Sequence, residues 1–85
     1  MRLHASARKH YARDRLDDEA VLHAAAHVVY RAALDDEDDP RRWLLLGVDP
    51  AGRILELVLL VFDADETNPM VIHAMKARPQ YLAHL

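Results

Sequence analysis

The hydrophobic residues in the second half of the chain follow the two-residue period of a β-strand. Residues 53–62 form the longest predicted strand. Its odd positions after Arg53 are all apolar: Leu55, Leu57, Leu59 and Val61. The even positions are also apolar, apart from Glu56. Because successive side chains point to opposite faces, we expect the odd positions to face the main core and the strand to be central in its sheet.

Two shorter apolar segments, residues 42–48 and 69–75, are predicted to flank this strand. Residues 49–52 (DPAG) are typical of a turn, since proline presets its φ and glycine tolerates a positive φ. Residues 63–68 are expected to form the loop before the last strand. On that strand, alternation predicts one face with Met70, Ile72 and Ala74 and the other with Val71, His73 and Met75.

A helical pattern precedes the strands. Asp17 or Asp18 can accept hydrogen bonds from the free backbone N–H groups of a helix start, and Glu19 adds negative charge to its first turn. The alanine-rich segment that follows carries an apolar stripe and is expected to end near residues 28–33. Residues 28–30 (VVY) favour a strand, so the pattern leaves open whether the helix ends or a strand begins there.

The chain ends complete the predicted order of elements. Residues 1–5 are a possible strand, Ser6 is a possible N-cap for a helix that continues to Arg13, and residues 77–85 can form a short helix. Residues 34–40 are expected to be a loop. This order predicts an α+β fold, a small single domain over residues 1–85. It has an antiparallel sheet of three to five strands, N-terminal helices packed on the sheet, and a short C-terminal helix.

Composition narrows the class of protein. The chain has 85 residues, of which 52% are hydrophobic and 29% charged, the balance of one globular domain. It has no cysteine, so disulfides and thiolate metal sites are excluded. No secretory signal is visible, and the longest apolar run, residues 57–62, is too short to span a bilayer. We therefore expect a cytoplasmic protein that does not contact a membrane.

Charge is segregated along the chain. The net charge of −3 argues against a generally basic nucleic-acid binder. However, residues 1–15 contain five cations and one acid, or +4, and residues 73–85 contain two cations and no acid, or +2. Eleven of the fourteen acids lie in residues 17–19, 35–39 and 63–66. If the fold brings the two ends together, an acidic protein can still carry a basic patch.

Two of the six histidines lie beside cations. His10 follows Lys9, and His73 lies three residues before Lys76 and five before Arg78. Cleavage of RNA needs a base for the 2′-hydroxyl, an acid for the leaving oxygen and cations for the charge on phosphorus. Histidine can supply the first two, and lysine and arginine the third. The structural alternative is a solvated helix end at His10 and a half-buried, hydrogen-bonded strand residue at His73.

His23 and His27 are spaced i, i+4 on the predicted helix, so both imidazoles project from one face and could share a metal ion. A third ligand would have to come from elsewhere in the chain. The alternative is that both histidines lie on a partly solvated helix face.

Glu56 interrupts an otherwise apolar strand. Because burying an unpaired charge is costly, we expect it to be paired or to lie on the wetter face. Arg41, Arg42, Arg53 or a histidine on a neighbouring strand are the candidate partners. A structural ion pair and a general base are both open roles for this carboxylate.

Four segments together resemble a known family: Lys9-His10, residues 42–47 (RWLLLG), residues 49–53 (DPAGR) and residues 71–78 (VIHAMKAR). They resemble the BrnT-like group of small toxins, which belongs to the RelE-like ribonuclease class of type II toxin–antitoxin systems. The residues that match the pattern are Lys9, His10, Trp43, Gly47, Gly52 and Arg53. Met75 stands where the family's last strand commonly has arginine, and Lys76 or Arg78 are candidates to replace it. The resemblance implies a compact sheet with packed helices, ribonuclease activity that inhibits translation, and a cognate antitoxin.

The leading hypothesis is therefore a toxin that cleaves RNA without a metal ion or another cofactor. The candidate catalytic residues are His10, Lys9, His73 and Arg53, and the candidate substrate-binding residues are Lys76, Arg78, Arg42 and Arg13. RNA and the antitoxin are the expected partners, and a homodimer is possible. The first alternative is a non-enzymatic dimeric interaction module that uses the sheet edge or the alanine-rich helix. The second is a metal-binding protein that uses His23 and His27.

Overall fold

The computed structural model describes residues 1–34 and 39–85. The strands are β1 (Arg2–Leu3), β2 (Val28–Ala33), β3 (Arg41–Val48), β4 (Ile54–Phe62) and β5 (Asp65–Lys76). A 3₁₀ helix spans Ala5–Arg8, and the α-helices are α1 (Tyr11–Asp14), α2 (Asp18–Ala26) and α3 (Pro79–Leu82). β2 to β5 form an antiparallel meander, and β1 pairs in parallel with β5, so the sheet order is β1-β5-β4-β3-β2. The predicted α+β fold is confirmed, while most of the acidic run at residues 35–39 lies outside the described residues.

The N-terminal helices pack on one face of the sheet. The odd positions of β4 lie in this core as predicted, with Leu55 and Leu57 fully buried. Val21 and Ala24 of α2 complete the contact. Gly47 of β3 permits the close approach of this helix, since a Cβ there would lie only 2.0 Å from the carbonyl oxygen of Ala24.

The C-terminal residues lie across the other face. Glu56, Leu46 and Tyr30 are aligned in register across three strands and therefore share this face. Arg78, just before α3, bonds Glu56, and the ring of His84 stacks on Tyr30 with centroids 4.9 Å apart. The C-terminal segment therefore runs over β4 and β3 toward β2, and Leu46 is fully buried beneath it.

Two local predictions are confirmed, and one alternative that the pattern left open is resolved. The Asp17 carboxylate accepts from the backbone N–H of Ala20 at 2.7 Å and caps α2. Residues 49–52 form the predicted turn, closed by Gly52 N–H to the carbonyl of Asp49 at 2.9 Å, and Gly52 has a φ of 86°. The ambiguous residues 28–30 begin strand β2.

The predicted N-terminal helix is wrong in detail. Ser6 does not cap it, because the imidazole of His4 accepts from the Ser6 N–H, and the Ser6 hydroxyl donates to the carbonyl of Ile72 in β5. The segment divides into a 3₁₀ turn and the short helix α1. Arg15, in the left-handed conformation with a φ of 55°, ends α1.

The predicted faces of the last strand are also wrong. β5 begins at Asp65 rather than at residue 69, and the pairing of β4 with β5 shifts between Val58–His73 and Leu59–Val71. Ile72 is the extra residue of this bulge, which places two residues of one strand opposite one of the other. Val71 and Ala74 consequently both enter the helix-covered core, although strict alternation separates them.

No helix in the described ranges combines the length and apolarity needed to cross a membrane.

Candidate active site

His10 and His73 come together on the face of the sheet that Glu56 shares. His73 lies on β5, and His10 immediately precedes α1. Their ring centroids are 5.8 Å apart with an interplanar angle of 78°, an edge-to-face arrangement. The two basic segments at the chain ends therefore come together, which is the condition stated above for a basic patch on an acidic protein. Two imidazoles at this spacing can both reach one bound phosphate group.

The buried carboxylate of Glu56 holds His73 in place through a hydrogen bond. This carboxylate is 1% exposed and accepts from His73 Nε2 at 3.0 Å. The Nε, Nη2 and backbone N–H of Arg78 each donate to it at 2.9 Å. The predicted partner on a neighbouring strand is confirmed as His73. Two of the predicted arginines pair elsewhere: Arg41 with Asp63 and Glu66 at the opposite end of the sheet, and Arg53 with Asp49.

The ionisation of Glu56 fixes the tautomer of His73. Burial raises the pKa of Glu56, but hydrogen bonds from Arg78 and His73 outweigh burial and leave that pKa below its usual value. A carboxylate can only accept, so Nε2 of His73 must carry its hydrogen. The other ring nitrogen, Nδ1, is left as the atom that can exchange a proton with a ligand.

The pKa of His10 is shifted in the direction that a general base needs. Desolvation lowers its pKa, and the nearby positive charges of Arg13, His73 and Lys9 lower it further. Asp14 acts in the opposite sense but does not reverse the shift. The imidazole is therefore uncharged at neutral pH and able to take up a proton.

Asp14 ties α1, which follows His10, to the strand that carries His73. Its Oδ2 accepts from the backbone N–H of Lys76 at 2.9 Å, and Arg13 donates to both carboxylate oxygens. The hydrogen bond from Arg13 is the main reason that the pKa of Asp14 is lowered to about 2; burial opposes this shift, and the hydrogen bond from the Lys76 N–H adds to the lowering. The tie fixes the distance between α1 and β5.

Arg53, predicted to be catalytic, lies at the opposite end of α1 from His10. Its guanidinium donates to Asp49 Oδ2 at 2.7 Å, to the carbonyl of Asp14 at 2.6 Å and to that of Arg15 at 3.2 Å. These bonds cap the C-terminal end of α1 and join it to the turn at residues 49–52. The structure thus gives Arg53 a role in holding α1 in place.

Of the remaining predicted cations, Lys9 and Arg13 lie close enough to His10 to lower its pKa. Lys76, in contrast, pairs with Leu55 and so lies on the helix-covered side of β5. Lys9 and Lys76 are exposed, and their ammonium groups make no ion pair with any residue of the described ranges. Arg13 is 56% exposed, and its Nη2 lies 3.9 Å from the sulfur of Met75. The guanidinium of Arg13 therefore contacts Met75, the residue that stands at the family's arginine position.

A groove of about 260 Å³ opens beside His73. Its lining combines apolar side chains with the site's charged groups: Leu34, Val58, Ile72 and Tyr81 with Arg42, Glu56, His73 and Arg78. The guanidinium of Arg78 lies 5.2 Å from the centroid of the Tyr81 ring. The predicted substrate-binding residues Arg42 and Arg78 thus share one groove with His73.

Sequence reasoning missed Asp14 and Tyr81. Asp14 lies in a segment that reads as solvated and basic, and its partner Lys76 is 62 residues away. Tyr81 lies in a short terminal helix without a strong pattern. An aromatic residue three positions after Arg78 was the one available signal for it.

His23 and His27 stack in parallel, with centroids 4.0 Å apart. Each Nδ1 donates to a backbone carbonyl, that of Val48 for His23 and that of His23 for His27. The Nε2 atoms are the remaining possible metal ligands. Within the described ranges, no group of three or more histidine, aspartate or glutamate side chains could hold a metal ion.

Comparisons with protein-family models, with curated proteins and with solved structures found no significant match. The resemblance to BrnT-like toxins therefore stays a prediction from the sequence motifs.

Proposed function

We propose that this protein is an endoribonuclease that cleaves RNA by acid–base catalysis without a metal ion. The observation that carries the proposal is the His10–His73 pair, with His73 anchored on the buried carboxylate of Glu56. This constellation offers two imidazoles that can exchange protons with a ligand, one of them oriented by a fixed hydrogen bond.

In the proposed reaction, the 2′-oxygen of a ribose attacks the adjacent phosphorus. His10 takes the proton of the 2′-hydroxyl, because its lowered pKa keeps it uncharged. The bond from phosphorus to the 5′-oxygen breaks, and Nδ1 of protonated His73 delivers a proton to that oxygen. The products are a 2′,3′-cyclic phosphate and a 5′-hydroxyl, so the two imidazoles finish with exchanged protonation states.

Cations around the pair would stabilise the charge that develops on the phosphoryl oxygens. Lys9 is suited to this role, because its ammonium group is exposed and unpaired within the described residues. Arg13 adds a guanidinium that its partner Asp14 only partly neutralises, since 56% of the arginine side chain is exposed. We assign Lys9 and Arg13 to phosphate binding.

The biological role we propose follows from the sequence resemblance: a cytoplasmic toxin that inhibits translation and is neutralised by a cognate antitoxin. The test is co-purification with the product of the neighbouring gene, together with growth after induction of this chain alone. Growth arrest relieved by the neighbouring product is expected. Normal growth and no complex would contradict the toxin role.

The enzymatic claim is tested on purified protein with single-stranded RNA and excess EDTA. His10→Ala and His73→Ala are each expected to reduce the cleavage rate by the 10²–10⁴-fold typical of a lost acid or base. His84→Ala is the matched control, because it removes an exposed imidazole that stacks on Tyr30. Cleavage that both site variants retain would refute the proposal.

A second function, the dimeric interaction module, is favoured by one observation. Exposed apolar side chains gather along the edge strand β2 and the helix beside it, among them Leu22, Val28, Val29 and Leu34. Sedimentation equilibrium tests this function: a dimer that Val29→Lys converts to a monomer would support it. A wild-type monomer at all concentrations would exclude it.

A further inference from the structure

The groove beside His73 has the chemistry of a site for a flat, partly apolar ring. Val58 and Ile72 supply an apolar surface, while Nδ1 of His73 and the guanidinium of Arg42 supply polar groups. The volume of about 260 Å³ lies just below the roughly 300–1,000 Å³ of pockets that hold drug-sized ligands. One ring system fits such a space.

His73 belongs both to this groove and to the proposed reaction centre, so a ligand in the groove lies next to a phosphate held by the histidines. The groove's lining holds two arginines, Arg42 and Arg78, and one carboxylate, Glu56, so its formal charge of +1 is opposite in sign to that of a nucleic acid backbone. We propose that the groove binds one unpaired nucleobase adjacent to the cleaved phosphate, so that the substrate is single-stranded RNA. This inference rests on the proposed ribonuclease function.

Strand selectivity follows from the geometry of base pairing. In an A-form duplex each base is paired and stacked, and placing one in a protein groove requires its extrusion at a cost of a few kcal/mol. An unpaired base in a single strand enters without that cost. The groove therefore selects against duplex RNA although the cations of the site attract both forms.

The test uses an oligonucleotide that binds but cannot be cleaved: a uridine-rich strand with 2′-deoxyribose throughout, alone or annealed to its complement. At one fixed salt concentration, the single strand is expected to bind about tenfold more tightly, in line with the 1–3 kcal/mol typical of one base contact. Its binding is also expected to shift the methyl resonances of Val58 and Ile72.

Two variants on β4 separate the groove from the rest of the surface. Val58→Phe fills the groove and is expected to weaken single-strand binding about tenfold. Val61→Phe adds the same volume to a groove of about 230 Å³ that also contains Trp43 and Leu45, on the opposite face of the sheet. It is expected to leave the affinity within about twofold of wild type.

Equal affinity for single strand and duplex would overturn the inference, as would equal effects of the two variants. If Val58→Phe fails to fold, the methyl spectra of the wild-type protein test whether the groove is the binding site. Methyl shifts at Val58 and Ile72 support the groove, and their absence on binding refutes it. Because the probes cannot be cleaved, a protein that binds them in the groove but leaves RNA intact would refute only the ribonuclease function.

Discussion

Replacing Glu56 with glutamine tests the anchor of the candidate site with almost no change of shape. Glutamine keeps one carbonyl oxygen, so it can still accept from the backbone N–H and Nε of Arg78. Its amide nitrogen replaces Oε2, which accepts from His73 Nε2 at 3.0 Å and from Arg78 Nη2 at 2.9 Å. Donor then faces donor at two contacts, and the negative charge is lost.

The expected cost lies between two limits. Breaking a fully buried ion pair costs roughly 3–5 kcal/mol, and a hydrogen bond to a charged group is worth about 1.5–3 kcal/mol. The carboxylate of Glu56 is 1% exposed, but the side chain of Arg78 is 44% exposed and regains water when its partner is neutral. We therefore expect Glu56→Gln to lower the free energy of unfolding by about 2–3 kcal/mol at pH 7.

Urea unfolding followed through the fluorescence of Trp43, the one tryptophan, measures this cost. Glu66→Gln is the matched control, because Glu66 is 62% exposed and pairs with Arg41, so its loss is expected to cost less than about 0.5 kcal/mol. Equal effects of the two substitutions would refute the view that Glu56 anchors the site. The denaturant dependence should stay unchanged in both variants.

The cost of Glu56→Gln should also depend on pH in a defined direction. The folded protein holds the pKa of Glu56 below its usual value. The carboxylate therefore contributes stability above the unfolded pKa of about 4.3 and loses that contribution as the pH falls through the folded pKa. The stability difference between wild type and variant should shrink below about pH 4. A difference that stays constant down to pH 2 would contradict the ion-pair account.

Three further outcomes are expected from urea unfolding. Gly47→Ala should cost about 3 kcal/mol or more, because its Cβ would meet the carbonyl of Ala24 at 2.0 Å. Gly52→Ala, with a φ of 86° and no heavy atom within 4 Å of the new Cβ, should cost only about 1–2 kcal/mol; a reversed order would contradict the close helix–strand approach. The pKa of Asp14 is lowered to about 2, so its contribution to stability should persist above about pH 4 and be lost as the pH falls toward 2. Asp14→Asn should remove this loss of stability at low pH. A variant that loses as much stability at low pH as wild type would contradict a stabilising bond between Asp14 and Lys76. Arg53→Gln should lower stability by about 1–3 kcal/mol and weaken RNA cleavage indirectly, and full activity at full stability would show that Arg53 does not hold α1.

The sequence was most informative where one periodic pattern dominated. The odd positions of β4 form the core, and Glu56 stood out because it broke an apolar run. The pattern failed on β5, where both faces carry apolar residues. Alternation cannot reveal a bulge at Ile72 when either register buries a similar amount of hydrophobic surface.

The candidate site was only partly predictable, for a different reason. The cations that neighbour His10 and His73 in the chain can be read directly from the sequence. Their proximity depends on the parallel pairing of β1 with β5 and on the tie at Asp14, contacts between residues more than 60 positions apart. No local pattern encodes such contacts, and none indicates that the guanidinium of Arg53 caps the C-terminal end of α1.

Chemical identification of the cleavage product tests the central claim most directly. Purified protein is incubated in excess EDTA with an RNA that has one defined cleavage site, and with the same RNA carrying 2′-deoxyribose at that site alone. The His10–His73 site predicts fragments ending in a 2′,3′-cyclic phosphate and a 5′-hydroxyl, and no cleavage of the deoxy-substituted bond. Cleavage of the deoxy-substituted bond, or RNA left intact by the wild-type protein, would contradict the account.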